Sequence, residues 1–284
     1  MIQCSHVSKS YDLKSVKVPF LKDLPVTSSK IEVLRDVTFS ISEKVNCVVG
    51  PNGSGKTTLI KILSGQEEAD SGEVLINGYS LLKERDKAVK SMSVLMDREF
   101  LDSFSTVKEN VDFALKVTGA DKSYTLELIK LLGLEKYLNF KVPYLSKGNT
   151  RKLSLLLALM LKRPVLLLDE PTNGIDFQTR RVIWDILSKF GRSSTVLMTT
   201  HQVDDIESVC ERIFLLVGGT VREVDKETFN AIMNNFVVIS KGNEKSLVRK
   251  EDIQAYLKDD VEVRKPTLAD VILYIENSTN ETNS

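Results

Sequence analysis

The chain has 284 residues, and its 39 basic and 39 acidic side chains give a formal net charge of zero. A balanced charge argues against binding to nucleic acid or to anionic lipid through bulk electrostatics. The two histidines, His6 and His201, are too few for a multi-histidine metal site. The three cysteines are odd in number and form no CxxC pair, which argues against a zinc cluster or a disulfide framework and favours a reducing compartment.

Membrane and targeting signals are not predicted. The longest apolar stretch, at 153–161, is interrupted by Ser154 and followed by two basic residues. A membrane-spanning helix needs about 20 apolar residues, so this stretch is interpreted as a buried helix. The first residues have no apolar core of the signal-peptide type. We therefore expect the chain itself to be soluble and cytoplasmic.

The first part of the chain is predicted to be rich in β-strands. Apolar and polar residues alternate over 37–41, a pattern typical of a half-buried strand. The polar stretch at 12–31, with two prolines, is interpreted as a loop or hairpin insertion. A short apolar run at 45–49 predicts a buried strand, and 57–64 predicts a helix that stops near a glycine.

The second part alternates helices with strands. Thr106 and Glu109 form a T-x-x-E capping box at the start of a helix. Further helices are expected at 124–132 and 151–162, and near the C-terminus, where Leu268, Val271, Ile272 and Ile275 share one helix face. Buried strands are predicted at 165–168, 195–199 and 213–217. Strands separated by helices imply a parallel sheet.

A glycine-rich segment follows the strand at 45–49. Residues 50–57, GPNGSGKT, fit the pattern G-x-x-x-x-G-K-[ST] and lead into a predicted helix. Glycines let the backbone approach a phosphate and turn its N–H groups towards it. Lys56 would reach the β- and γ-phosphates, and the Thr57 hydroxyl would bind Mg²⁺. The alternative, a glycine-rich turn with no ligand, does not explain this combination.

Two acidic residues follow the strand at 165–168. Asp169 and Glu170 emerge at its carboxyl end, where open α/β sheets bind their ligands. Asp169 would hold Mg²⁺, and Glu170 could polarise an attacking water. A solvated acidic pair is the alternative, and the phosphate loop makes it the weaker interpretation.

Five segments in this order resemble the ATP-binding subunit of ABC transporters. GPNGSGKTT (50–58) resembles the Walker A loop, LSKGN (145–149) the signature, VLLLDE (165–170) Walker B, PTNGID (171–176) the D-loop, and TTH (199–201) the switch-histidine strand. The C-terminal PTLADVI (266–272) resembles the ending of prokaryotic ABC-2-type exporter ATPases.

The resemblance implies an α/β fold, with a P-loop NTPase (RecA-like) core, an antiparallel β subdomain and an inserted helical subdomain. The nucleotide-binding domain would cover 1–228, with the helical subdomain at about 97–162. A small accessory segment would cover 229–284. The implied cofactors are ATP and Mg²⁺.

The resemblance also assigns roles. Glu170 and His201 would be catalytic, and Thr57, Asp97 and Asp169 would hold Mg²⁺. The residues implied to contact nucleotide are Tyr11, Gly50, Pro51, Asn52, Gly53, Ser54, Gly55, Lys56, Thr57, Thr58, Ser146, Gly148 and Asp176. Ser146 and Gly148 would contact the γ-phosphate held by a second subunit, stacked head to tail, and Asp176 would couple the two sites. Tyr11 would stack on adenine, with Phe20 as the fallback.

The sequence departs from the family pattern in three places: the signature, the Q-loop position and the segment before the Walker A strand. Lys147 replaces a signature glycine and would have to fit a backbone conformation that suits glycine, while Asn149 replaces glutamine. Asp97 stands where the family has the Q-loop glutamine, and its alternative role is that of a solvated loop acid. The segment at 42–45, ahead of the Walker A strand, has no glycine.

The implied function is ATP hydrolysis that drives transport, most simply export, by a separate membrane permease. The expected partners are permease subunits and a second nucleotide-binding domain, most simply a homodimer, with no nucleic acid. The chain would then lie on the inner face of the cell membrane through its permease. The alternatives are a soluble ABC ATPase with no transport role and a catalytically weak regulatory cassette.

Overall fold

The computed structural model describes residues 1–12, 30–96, 101–241, 244–256 and 261–282. Most of the stretch interpreted as an insertion, with Phe20, and the Q-loop position Asp97 lie outside these ranges. On either side of the stretch, Asp12 pairs with Lys30.

Strands and helices alternate along most of the chain. The first elements are β1 (Ile2–Asp12), β2 (Lys30–Ile41), β3 (Lys44–Val49), α1 (Lys56–Leu63), β4 (Ser71–Ile76), β5 (Tyr79–Ser80), α2 (Arg85–Lys90), β6 (Met92–Leu95), α3 (Val107–Thr118) and α4 (Lys122–Leu131). There follow α5 (Lys147–Leu159), β7 (Val165–Asp169), α6 (Phe177–Gly191), β8 (Thr195–Thr200), α7 (Val203–Val209), β9 (Arg212–Val217), β10 (Thr220–Val224), α8 (Lys226–Asn235), β11 (Phe236–Lys241), β12 (Glu244–Arg249), β13 (Glu262–Arg264) and α9 (Leu268–Thr282). Short 3-10 helices occupy Glu135–Tyr137, Val142–Tyr144 and Lys250–Ala255.

A six-stranded sheet in the order β10-β9-β3-β8-β7-β6 forms the centre of the fold. β3 runs parallel to β8 and β9, β7 runs parallel to β8 and β6, and β10 is antiparallel to β9. The predicted parallel sheet is therefore confirmed. Its register places Val49 beside Thr200 and Asp169 beside Thr199. The segments that follow β3, β7 and β8 consequently meet at one edge of the sheet.

A second sheet, in the order β2-β1-β4-β5, is antiparallel throughout. Its apolar face shares a core with α1, in which Ile2, Leu34 and Ile76 pack in one cluster with Leu59 and Ile60. This layer fixes α1 against the central sheet. A parallel core with an added antiparallel layer agrees with the predicted fold class.

The helical part comprises α3, α4 and α5. The predicted capping box is confirmed, because the Thr106 hydroxyl accepts from the Glu109 backbone N–H at 3.2 Å and the Glu109 carboxylate accepts from the Thr106 N–H at 2.7 Å. The predicted start of the third helix at 151 is wrong. Helix α5 begins at Lys147, because the Ser146 hydroxyl accepts from the Asn149 N–H at 3.2 Å and caps the first turn.

The C-terminal part contains a three-stranded sheet, β12-β11-β13, and helix α9. The four apolar residues predicted to share one face of α9, Leu268, Val271, Ile272 and Ile275, are buried in the main core. That helix is therefore docked on the rest of the chain. The predicted boundary at 228/229 falls within α8, and the division into domains stays a prediction.

The sequence argues against a disulfide framework, and it does not predict the disulfide that joins two of the cysteines. Cys47 and Cys210, which are 163 residues apart in sequence, form a disulfide with their Cα atoms 5.8 Å apart. β3 and β9 are adjacent strands, with Cys47 paired to Ile213, and this proximity cannot be read from linear spacing. Cys4 is a buried free thiol.

Membrane-spanning helices are not found in the part of the chain that the structure describes, where no helix combines sufficient length with sufficient apolar character.

Candidate functional site

The loop between β3 and α1 is built for close approach to its ligand. A Cβ at Gly50 would collide with the carbonyl oxygen of Leu216. Gly53 and Gly55 have φ angles of 81° and 103°, in the left-handed region that favours glycine. The Ser54 hydroxyl is buried with no hydrogen-bond partner among the described residues. A backbone cradle at the N-terminus of a helix, with an unpaired hydroxyl, fits a phosphate group.

Lys56 supplies the positive charge of the loop. Its side chain is largely buried and its ammonium donates to the carbonyl oxygens of Gly50 at 2.8 Å and Pro51 at 3.0 Å. Burial lowers the pKa of Lys56, while the charges of Glu170 and Asp169 act in the opposite direction. The loop therefore holds the cation beside the cradle.

The end of β7 faces the start of α1. Asp169 is almost fully buried, and its carboxylate accepts from the Thr57 hydroxyl at 2.9 Å and from the Thr199 hydroxyl at 2.6 Å. A hydroxyl and a carboxylate at this distance are hard oxygen ligands of the kind Mg²⁺ prefers. The two residues thus fit a magnesium ion.

Glu170 has an unusual backbone and a close partner. Its φ angle is 52°, and its backbone N–H donates to the Thr199 carbonyl at 3.2 Å and hydroxyl at 3.0 Å. The Glu170 Oε2 atom lies 2.7 Å from Nδ1 of His201, which follows β8 and is half exposed. Left-handed non-glycine residues are often held in place at functional sites. The geometry presents an acid and an imidazole together at the sheet edge.

These groups share one open cleft of about 520 Å³. It is lined by Val33, Asn52, Gly53, Gly55, Lys56, Thr57, Thr58, Asp169, Glu170, Asn173 and His201. Tyr11, Ser146, Gly148 and Asp176 are not among the residues that line this cleft. The structure therefore brings together most of the loop with both acids and the histidine, and leaves the signature and the D-loop aspartate apart from them.

Tyr11 lies near the end of β1, beside α1. Its hydroxyl is 3.5 Å from the Thr58 hydroxyl, and Lys9 lies over its ring at 5.5 Å from the centroid. Burial raises the pKa of Tyr11, so the phenol is neutral at physiological pH. The aromatic ring is thus placed next to the helix that carries the phosphate loop.

The signature segment packs on the D-loop. A Cβ at Gly148 would lie 2.7 Å from the carbonyl oxygen of Gly174, so only glycine fits there without a shift. Lys147 lies in the first turn of α5 and needs no left-handed backbone, which corrects the expectation of conformational difficulty. Asp176 caps α6 by accepting from the Thr179 N–H at 2.9 Å, and this hydrogen bond lowers its pKa.

Several residues at the site are not among the site residues predicted from the sequence. Asn173 and Val33 line the cleft. Arg151 is buried and donates to the carbonyl oxygens of Met96, Asp169 and Glu170. Asn173 could have been indicated by its place in the D-loop segment. The contacts of Arg151 with backbone carbonyl oxygens could not, because no local sequence signal marks them.

Comparisons with known proteins bear on the family and the fold. A family model described as ABC transporter matches residues 34–173. The chain is 35% identical over 196 residues to the uncharacterized ABC transporter ATP-binding protein YhcH of Bacillus subtilis, covering 68% of this chain and 64% of that protein. It is 34% identical over 194 residues to the phospholipid-transporting ATPase ABCA3 of Mus musculus, covering 66% of this chain but only 11% of that protein.

A solved structure extends the match to the fold. The ABC transporter cassette MJ0796, described as bacterial and dimeric, superposes with a TM-score of 0.68 at 27% identity, covering 80% of this chain and 99% of that one. The same cassette has also been solved in a post-hydrolysis state bound to ADP and Pi. On the motifs, the site geometry and these matches together, the chain is an ATP-binding cassette of the ABC transporter family, a family of ATPases.

Proposed function

We propose that this chain is the ATP-hydrolysing subunit that drives transport by a separate membrane permease, and that the direction is export. The observation that carries the proposal is the convergence of Lys56, Thr57, Asp169, Glu170 and His201 on one cleft. A phosphate-binding cation, a hydroxyl–carboxylate pair and an acid beside an imidazole are the parts that phosphoryl transfer to water requires.

Nucleotide binding is assigned to the loop at 50–58. Its backbone N–H groups and the ammonium of Lys56 would hold the phosphates. Thr57 and Asp169 would hold Mg²⁺, which neutralises charge on the phosphates when it is bound. Asp97 is proposed as a further ligand on the resemblance alone. Tyr11 would support the adenine.

Hydrolysis is assigned to Glu170 and His201. Glu170 would accept a proton from the attacking water, because its carboxylate stands at the carboxyl end of β7 beside the phosphate cradle. The imidazole of His201 would hold the γ-phosphate and the water in line with that carboxylate. The distance of 2.7 Å between the two side chains supports their acting on the same water.

A second cassette would complete the site. Ser146 and Gly148 do not line the cleft of their own chain, which is consistent with contact to a nucleotide held by a partner subunit. The N-terminus of α5, which Ser146 caps, favours a negative group. Asp176, on the D-loop that packs against the signature, would couple the two sites. The dimeric MJ0796 cassette supports a paired arrangement.

Membrane coupling and export are supported by resemblance. The C-terminal segment at 266–272 resembles the ending of prokaryotic ABC-2-type exporter ATPases, and it forms the capped start of α9. The chain would therefore lie on the inner face of the cell membrane, held there by its permease.

Purification from detergent-solubilised membranes tests this proposal. We expect a stoichiometric complex with a polytopic membrane protein. The Lys56→Ala chain should assemble into the same complex, because assembly does not use the phosphate cradle. It should lack ATPase activity. Recovery of the chain only in complexes without any integral membrane protein would contradict the proposal and favour a non-transport ATPase.

A further inference from the structure

Asp205, on α7, is a fully buried acid with several donors around it. Its Oδ2 atom accepts from the hydroxyls of Thr172 at 2.6 Å and Thr200 at 2.7 Å. Its Oδ1 atom accepts from the indole N–H of Trp184 at 2.8 Å and lies 3.4 Å from a guanidinium nitrogen of Arg180. Buried polar groups are costly unless they are paired, and both oxygens of this carboxyl group are paired.

The donors of this network lie beside the proposed catalytic pair. Thr200 directly precedes His201, and Thr172 lies two residues after Glu170. The Thr200 hydroxyl also accepts from the backbone N–H of Gln202 at 3.0 Å, so it is tied to both sides of His201. One carboxyl group thus joins the segment after β7 to the end of β8.

A buried acid of this kind is weak evidence for a role in stability. Replacing a buried charged network by well-packed apolar groups is often neutral or stabilising, because desolvation offsets the attraction. Such a network is better suited to fixing geometry, and small errors in the placement of reacting groups are expensive in rate.

We propose that Asp205 is a positioning residue for ATP hydrolysis, which holds the segments bearing Glu170 and His201 at a fixed separation. The inference rests on the proposed roles of those two residues. Asp205 acts through Thr172 and Thr200 and does not itself contact the cleft.

The Asp205→Asn variant tests the network with little change in volume. The amide has one acceptor oxygen instead of two, so either the threonine hydroxyls or the indole N–H must lose an acceptor. We expect kcat to fall about tenfold or more, with the KM for ATP and the amount of ATP bound per chain changed less than about twofold. Asp204→Asn is the matched control. Asp204 is the exposed neighbour of Asp205, and its contact with the network is an ion pair with Arg180.

A second pair of variants separates positioning from folding. Thr200→Val is isosteric and removes one hydroxyl, whereas Thr200→Ser restores it. We expect Thr200→Val to lower kcat and Thr200→Ser to have most of the wild-type kcat. ATP binding should be unchanged in both variants. A purely structural role would instead lower the melting temperature and the fraction of binding-competent chain, with kcat per bound ATP unchanged.

Trp184 gives a spectroscopic readout, since it is the single tryptophan of the chain. We expect ATP to change its emission in the wild-type and Asp204→Asn chains, and the change to be smaller in Thr200→Val and restored in Thr200→Ser. An ATP-induced change in the Thr200→Val chain equal to that of the wild-type chain would count against coupling between the network and the site.

Wild-type kcat in folded Asp205→Asn and Thr200→Val chains would overturn the inference. If Glu170→Gln abolishes turnover while these variants do not lower it, only the role of Asp205 fails. If Glu170→Gln retains turnover, the proposed catalytic roles fail as well.

Discussion

Lys56 shows how a single residue depends on the loop around it. The left-handed backbone at Gly53 and Gly55 turns the loop so that the ammonium lies on the carbonyl oxygens of Gly50 and Pro51. The cation is largely buried, so its interaction with a phosphate is screened little by solvent.

Removing this cation should weaken nucleotide binding. Hydrogen bonds to charged groups contribute about 1.5–3 kcal/mol, so Lys56→Ala is expected to raise the Kd for ATP about 10- to 150-fold. Titration with a fluorescent ATP analogue measures the change. Lys61→Ala, in the last turn of the same helix, is the control and should bind as the wild-type chain does. Equal affinity in the two variants would contradict the phosphate-loop assignment.

At the scale of elements, α5 connects the signature to the acids at the end of β7. Gly148, Asn149 and Thr150 have weak helix propensity, so the sequence pattern alone places the start of the helix too late. The cap at Ser146 extends the helix to Lys147, and Arg151 then reaches the carbonyl oxygens of Asp169 and Glu170. Helix α5 therefore begins at the signature, and its Arg151 side chain contacts the backbone of the candidate catalytic acid, Glu170.

Helix α9 is held at its start by Asp270. The carboxylate accepts from the guanidinium of Arg264 at 2.7 and 3.0 Å and from the Thr267 N–H at 2.7 Å. Burial alone would raise the pKa of Asp270, but these hydrogen bonds from Arg264 and Thr267 outweigh it and hold the pKa at about 2. Because the pKa is depressed on folding, this stabilisation is fully present above pH 3.8 and is lost as the pH falls towards 2.

Asp270→Asn should therefore loosen α9 at neutral pH. Loss of a helix cap costs about 0.5–2 kcal/mol, so amide hydrogen exchange in α9 is expected to become about 2- to 30-fold faster at pH 7. Asp252→Asn, an exposed acid of the same C-terminal part, is the control. Exchange rates in α9 that match those of the control would show that the cap does not hold the helix.

At the scale of the whole molecule, the sheet topology assembles the site. Thr57 and Asp169 are 112 residues apart and meet because β3 and β7 are parallel strands on either side of β8. The strands and the loop at 50–58 could be predicted because apolar runs and glycines carry local signals. Asp169 and Glu170 could be placed because they follow a buried strand.

Contacts between distant side chains could not be predicted in this way. Asp205 meets residues of α6, of β8 and of the segment after β7, and no periodicity marks such a set of partners. Cys47 and Cys210 also come together only because β3 and β9 are neighbours. A sequence pattern identifies the groups that touch the ligand better than the groups that hold them.

The role of Glu170 as the base for ATP hydrolysis is tested most directly by the Glu170→Gln chain, assayed for ATP binding, hydrolysis and ATP-dependent dimer formation by light scattering. Glutamine keeps the size of the side chain and cannot act as the base, whose contribution is about 10²- to 10⁴-fold in rate. We expect ATP affinity like that of the wild-type chain, turnover reduced at least about 100-fold, and a dimer that persists with ATP. Glu207→Gln, an exposed acid on α7, should behave as the wild-type chain. Hydrolysis at the wild-type rate in Glu170→Gln would show that Glu170 is not the base.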